Sequence, residues 1–125
     1  MSLVGWRRLW QALAGILGAL GVALGAAAAH LAMAGNAGNL QLASAFLIFH
    51  ALALMGVAAL TRGPGPWLRI AGALFALGAT CFSGGLALNA VVEGGAGPVI
   101  PVGGTALILG WLALAVSAVA DKPTT

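Results

Sequence analysis

FSGGLALNAVVEGGAGPVIPVGG, residues 82–104, joins two long apolar segments through a turn made almost entirely of Gly, Pro and small residues. Glu93 lies in it, and no other Asp or Glu occurs before position 121. An apolar stretch of about 20 residues crosses a bilayer core of about 30 Å as a helix, and a Gly/Pro cluster between two such stretches is where the chain turns back. Working outward, one apolar segment precedes the turn at 68–92 and one follows it at 101–120. Two more, at 9–31 and 40–60, precede those. The fold class expected is all-α: a polytopic membrane protein, an antiparallel bundle of four transmembrane helices in a single domain.

Composition requires the same. The chain has 125 residues, 62% hydrophobic and 6% charged, with 20 Gly and a mean hydropathy of +1.09. A water-facing surface needs about 25% charged residues, so lipid is the solvent. The net charge of +3 rests on five basic residues at segment ends. They form no patch, which argues against a nucleic-acid partner. One cysteine, Cys81, permits neither an internal disulfide nor a multi-thiolate metal site.

The basic residues set the expected orientation. Arg7 and Arg8 precede the first segment, Arg62 and Arg69 flank the connection between the second and third, and Lys122 follows the fourth. With four segments all five fall on one face, and Glu93 falls on the other. The positive-inside rule then puts both termini in the cytoplasm. Trp6, Trp10 and Trp67 lie beside these charges as expected interface anchors, whereas Trp111 lies mid-segment as a packing residue. A charged start, an apolar stretch and small residues at 26–29 also fit a cleaved signal peptide. The segment is read as an uncleaved helix. Within it Gly21 and Gly25 form a GxxxG pair that admits another helix closely.

Polar residues at membrane depth are the functional candidates. No ionisable carboxylate, Lys or Arg lies at mid-depth, which removes the usual device of proton-coupled carriers. His50 lies mid-segment and needs a partner across a helix contact, a hydroxyl or a carbonyl. His30 ends the first segment as an interfacial residue. The two histidines differ in depth by roughly 15 Å at 1.5 Å per residue, so they cannot share one haem. Ser83, Gly84 and Gly85 suggest close helix approach at the glycines, with the Ser83 hydroxyl bonding across. Asn89 completes the polar set of the third segment. Pro101 fits the first turn of the fourth helix, where a missing N–H costs little, and Gly103 and Gly104 follow it. The turn lacks the Lys and hydroxyl of a phosphate cradle. No catalytic set, metal site or cofactor is expected.

Four runs carry a resemblance: AAHLA at 28–32, HALALM at 50–55, FSGGLA at 82–87 and PVGG at 101–104, together with Gly110–Trp111. In order and spacing they resemble the YgdD-like family of small uncharacterised membrane proteins, domain of unknown function 423, which has mitochondrial relatives. Gly85 stands where that family is expected to have a second Ser, and Ala87 where it has an aromatic hydroxyl. The resemblance implies a four-helix protein of the bacterial inner membrane and implies no reaction.

The function expected is a structural or accessory subunit, without catalytic activity, packed against a larger membrane complex. The alternative is a small homo-oligomeric carrier, channel or lipid-handling protein with a polar path near His50, Ser83 and Asn89. A redox or enzymatic role ranks last.

Overall fold

The computed structural model describes residues 1–30, 37–63 and 65–121. It contains four helices, α1 (Leu3–His30), α2 (Ala37–Leu60), α3 (Pro66–Val91) and α4 (Val99–Ala120). Each is long and apolar enough to cross a membrane. All four start earlier than the expected apolar segments, and α1 starts six residues earlier. Polar and aromatic flanks such as Trp6 to Arg8 continue the helix, because lipid-facing hydropathy marks the membrane core and not the helix end.

The helices form an open arrangement. Helix α2 packs on both α1 and α3, and α4 packs on α3; α1 meets α3 at only a few positions, and among the described residues α4 has no close backbone approach to α1 or α2. Burial follows from this. Helices α1 and α4 bury 22% of the residues in their apolar spans, against 44% for α2 and α3.

Small residues fix the contacts. A Cβ placed on Gly18 would touch Ala51. On Gly21 it would press on Ile48, and on Gly25 on Ser44. The GxxxG pair therefore does face another helix, and Ser44 Oγ donates to the Gly21 carbonyl at 2.7 Å. Between α3 and α4 the close positions are Gly78 against Leu107 and the Gly103 carbonyl, Gly85 against Ile100, and Gly103 against the Phe82 backbone.

Trp10 is not an interface anchor. It is buried, stacked on Trp6 with ring centroids 5.4 Å apart, and it lies where a Cβ on Gly72 would have to be. The earlier start of α1 carries it two turns into the helix and onto α3. Its burial alongside Ala14 and Leu17 makes α1 an integral part of the packed core. Arg69 sits over the Trp6 ring at 5.2 Å, so a basic residue at this end also ties α3 to α1.

The turn between α3 and α4 is held by its own bonds. Gly94 and Gly97 have positive φ of 68° and 48°, conformations that suit Gly. Asn89 Oδ1 accepts the Ala96 N–H at 2.9 Å, and Ala96 is buried under Gly85. Pro101 lies in the first turn of α4, as its missing N–H favours.

The opposite end is closed by Asp121, just past the end of α4. Asp121 accepts the N–H groups of Trp67 at 3.2 Å and Leu68 at 2.9 Å. Gly65, the N-cap residue of α3, has no side chain to do this. The last residue described of the chain thus caps α3 from α4, carboxylate to helix N-terminus. Asp121→Ala is expected to destabilise the protein by about 1 kcal/mol, read as a lower unfolding midpoint in mild detergent. Asp121→Asn, which keeps an acceptor, is expected to recover part of it.

Candidate functional site

At the middle of the molecule an aromatic cluster surrounds His50. Its ring stacks near Phe46 at 5.8 Å, meets Phe75 at 5.7 Å, and meets Trp111 at 6.1 Å. Phe46 continues the cluster to Phe82 at 4.5 Å, and Phe75 meets Trp111 edge-on at 4.9 Å. The five rings come from α2, α3 and α4. They are therefore where α4 makes contact with α2, by side chains across a gap the backbones do not close.

Both ring nitrogens of His50 are engaged. Nδ1 lies 2.7 Å from the Phe46 carbonyl of its own helix. A carbonyl only accepts, so Nδ1 carries the proton. Nε2 lies 3.2 Å from Trp111 Nε1. An indole N–H only donates, so Nε2 accepts. The partner across the helix contact is thus an indole, not the hydroxyl or carbonyl anticipated. The depths match for a simple reason. His50 lies ten residues before the end of α2, and Trp111 nine before the end of α4, so at 1.5 Å per residue each is roughly 15 Å from the same end of the bundle. Trp111 packs on Phe75 and His50 as expected of a packing residue, although the residue as a whole is half exposed.

This arrangement leaves no lone pair on His50 for a metal or a proton donor while the indole stays in place. Its chemistry is positional: it sets the height and rotation of α4 against α2. In a double-mutant cycle, His50→Leu and Trp111→Phe are expected to show a coupling of about 1 kcal/mol, in the range measured for hydrogen bonds between membrane helices. The readout is unfolding free energy in detergent, and additive effects would overturn the pairing.

The other candidates lie apart. Ser83 is fully buried, but its hydroxyl has no hydrogen-bond partner among the described residues. The expected bond across to a neighbouring helix is not formed. Gly85 is in close contact with α4, as anticipated, whereas nothing among the described residues lies within 4 Å of the Gly84 Cβ position. Gly104 makes only ordinary contact with the Phe82 ring. His30 is exposed at the end of α1, and the residues that follow it, 31–36, are outside those described. Asn89 is committed to the turn between α3 and α4 and lines a polar cleft of about 500 Å³ with Asn39 and Glu93. His50 and Ser83 line none of the four main surface clefts among the described residues.

A family model described as "Protein of unknown function (DUF423)" matches residues 24–104, more than half of the chain. The match takes in His30, His50, the 82–87 run and Pro101 to Gly104, and it ends before Trp111 and Asp121. No solved structure matches the chain.

Proposed function

The chain belongs to the family described as Protein of unknown function (DUF423), a description that carries no activity, and from that premise we propose a non-catalytic, multi-pass accessory subunit of the bacterial inner membrane that packs against a larger complex. In this reading the helices run antiparallel with both termini in the cytoplasm. The order of contacts along α1 and α2 supports the antiparallel arrangement, since Gly18, Gly21 and Gly25 meet Ala51, Ile48 and Ser44 in reverse order. The five basic residues support the orientation.

One observation carries the accessory role. Gly15, Gly56 and Gly84 are exposed, interior to their helices, and nothing among the described residues comes within 4 Å of their Cβ positions. A helix-interior Gly costs about 1 kcal/mol relative to Ala, and among the described residues no contact requires it. Small residues on an outward membrane face permit close approach by another helix. The carrier alternative has less support, because His50, Ser83 and Asn89 are each taken up by separate packing or hydrogen-bond roles.

The test is native mass spectrometry after gentle extraction from the protein's own membranes. The expected mass is well above 12.2 kDa, with other polypeptides present. Gly56→Leu and Gly84→Leu are expected to leave the unfolding midpoint unchanged and to release the protein from that assembly. A lone wild-type monomer in several mild detergents would overturn the reading.

A further inference from the structure

Helix α1 has two working faces. One carries Trp6 and Trp10 to α3, where Arg69 covers the Trp6 ring and a Cβ on Gly72 would meet Trp10. The other borders α2 along an apolar groove of about 420 Å³, within the range of ligand-sized pockets. Gly15, Gly18 and Ala51 keep the groove open by their small size, and Leu52 and Met55 line its α2 side. Along α1 it runs from Gln11 to Val22, roughly 16 Å at 1.5 Å per residue. At its inner end the helices close on each other, with Ser44 Oγ on the Gly21 carbonyl at 2.7 Å. The groove is thus about half as long as a bilayer core of about 30 Å is thick. A slot one leaflet deep fits an acyl chain, whereas a partner helix that crosses the bilayer needs a face of full height.

Polarity is confined to the other end of the groove. Gln11 is exposed there and makes no hydrogen bond with a described residue, a costly state for an amide facing lipid. Arg7 and Arg8 precede it by four and three residues, so helical spacing sets both on the side of α1 that Gln11 marks. Both are exposed, and neither has a hydrogen bond or ion pair among the described residues. Side chains on a helix lean toward its N-terminus, which lifts the two guanidinium groups above the mouth. The acidic group of this end, Asp121, is bonded onto the first turn of α3. It follows α4, which among the described residues makes no close backbone approach to α1 or α2. In order of depth, the two cations, the amide donor and the apolar slot match the phosphate, the ester carbonyls and an acyl chain of a phospholipid with a negative headgroup.

We propose that the groove between α1 and α2 binds one anionic phospholipid, its phosphate at Arg7 and Arg8, an ester carbonyl accepting from the Gln11 amide, and an acyl chain over Gly15, Gly18 and Ala51. The site is independent of the accessory role. Of the three open glycines only Gly15 lines it, and Gly56 and Gly84, whose variants test that role, lie outside it. The site holds whichever side of the membrane the basic end faces.

The experiment is native mass spectrometry of the detergent-purified full chain titrated with phosphatidylglycerol or with phosphatidylcholine of the same acyl chains. The wild type is expected to retain one phosphatidylglycerol with about thirtyfold preference, the contribution of two basic residues near a membrane surface. The double variant Arg7→Gln, Arg8→Gln is expected to abolish the preference, whereas Lys122→Gln, which removes a charge beyond α4, leaves it intact. Gly15→Trp, at a position whose Cβ meets nothing within 4 Å, fills the groove and is expected to lower retention of both lipids with the unfolding midpoint preserved. Glycerol 3-phosphate, a headgroup without chains, is expected not to compete. Equal retention of the two lipids, a preference that survives the double Arg variant, one lost equally in Lys122→Gln, retention unaffected by Gly15→Trp, or competition by glycerol 3-phosphate would each overturn the site. So would a lipid-free dimer that Gly15→Trp disperses, which would put a second copy of the chain in the groove.

Discussion

Replacing Phe75 by Ala is expected to destabilise the folded protein by about 3 kcal/mol, at the low end of the range for a buried Phe, and to loosen α4 from the rest. Phe75 is fully buried. Its ring contacts Trp111 edge-on and lies beside His50. It also fills the space above Gly110, where a Cβ would stand 2.8 Å from the ring. One side chain of α3 thus supports α4 and the bridge to α2 at once. In a bilayer the apolar solvent removes most of the water-exclusion term, and the loss comes from dispersion contacts that the surrounding helices cannot remake; hence the low end of the range. Unfolding free energy in dodecyl maltoside, followed by tryptophan fluorescence, measures it. Phe75→Leu, which keeps part of the volume, is expected to lose less than half as much. A loss below about 1 kcal/mol for the Ala variant would show that the ring cluster does not hold α4.

The contrast between what the sequence revealed and what it hid follows from the solvent. Hydropathy alone located four helices, because a lipid core demands about 20 apolar residues per crossing, and that demand tolerates little ambiguity. The close approaches at Gly21, Gly25 and Gly85 were legible for a related reason: a membrane helix contact selects small residues. The same demand erased other signals. With nearly every position apolar, no periodicity separates a core face from a lipid face, so Trp10 read as an anchor although it is buried on Gly72. Phe75 carried no mark that set it apart from the exposed Phe49. The His50–Trp111 pair was within reach, since an indole N–H donor and an imidazole with a nitrogen able to accept, at equal depth in different helices, each require a partner, but pairing them needs the knowledge that α4 leans across α3. Asp121 was hidden differently. Its role depends on Gly65 lacking a capping side chain, and a cap supplied from 56 positions away leaves no local pattern. Ser83 shows the reverse error: a hydroxyl at membrane depth invited a hydrogen bond, and among the described residues none is formed.

Gly103→Ala is expected to destabilise the protein by about 3 kcal/mol, while the same change one residue later at Gly104 is expected to be neutral or stabilising by up to about 1 kcal/mol. Both residues lie early in α4, and both substitutions gain the helix preference of Ala over Gly. They differ in what the new methyl group meets. At Gly104 the nearest atoms are the Phe82 ring carbons at 3.5 and 3.6 Å, ordinary van der Waals contact. At Gly103 they are the Phe82 amide nitrogen, too close for any real Cβ, with the Gly78 carbonyl oxygen and the Phe82 Cα both at 2.9 Å. All three are backbone atoms of α3. A flexible side chain would swing aside, whereas these move only if the helices separate. Gly78 cannot relieve the crowding, because its own Cβ position lies 3.0 Å from the Gly103 carbonyl; the two glycines hold the helices together reciprocally. Overpacking costs of 1–3 kcal/mol therefore apply at their upper end, and separation at this point would also pull Gly110 off Phe75 and lengthen the Trp111–His50 bond. The two variants have the same chemistry and adjacent positions, so a difference in sign between their unfolding free energies reads the α3–α4 crossing directly, and equal values would place that crossing elsewhere along the helices.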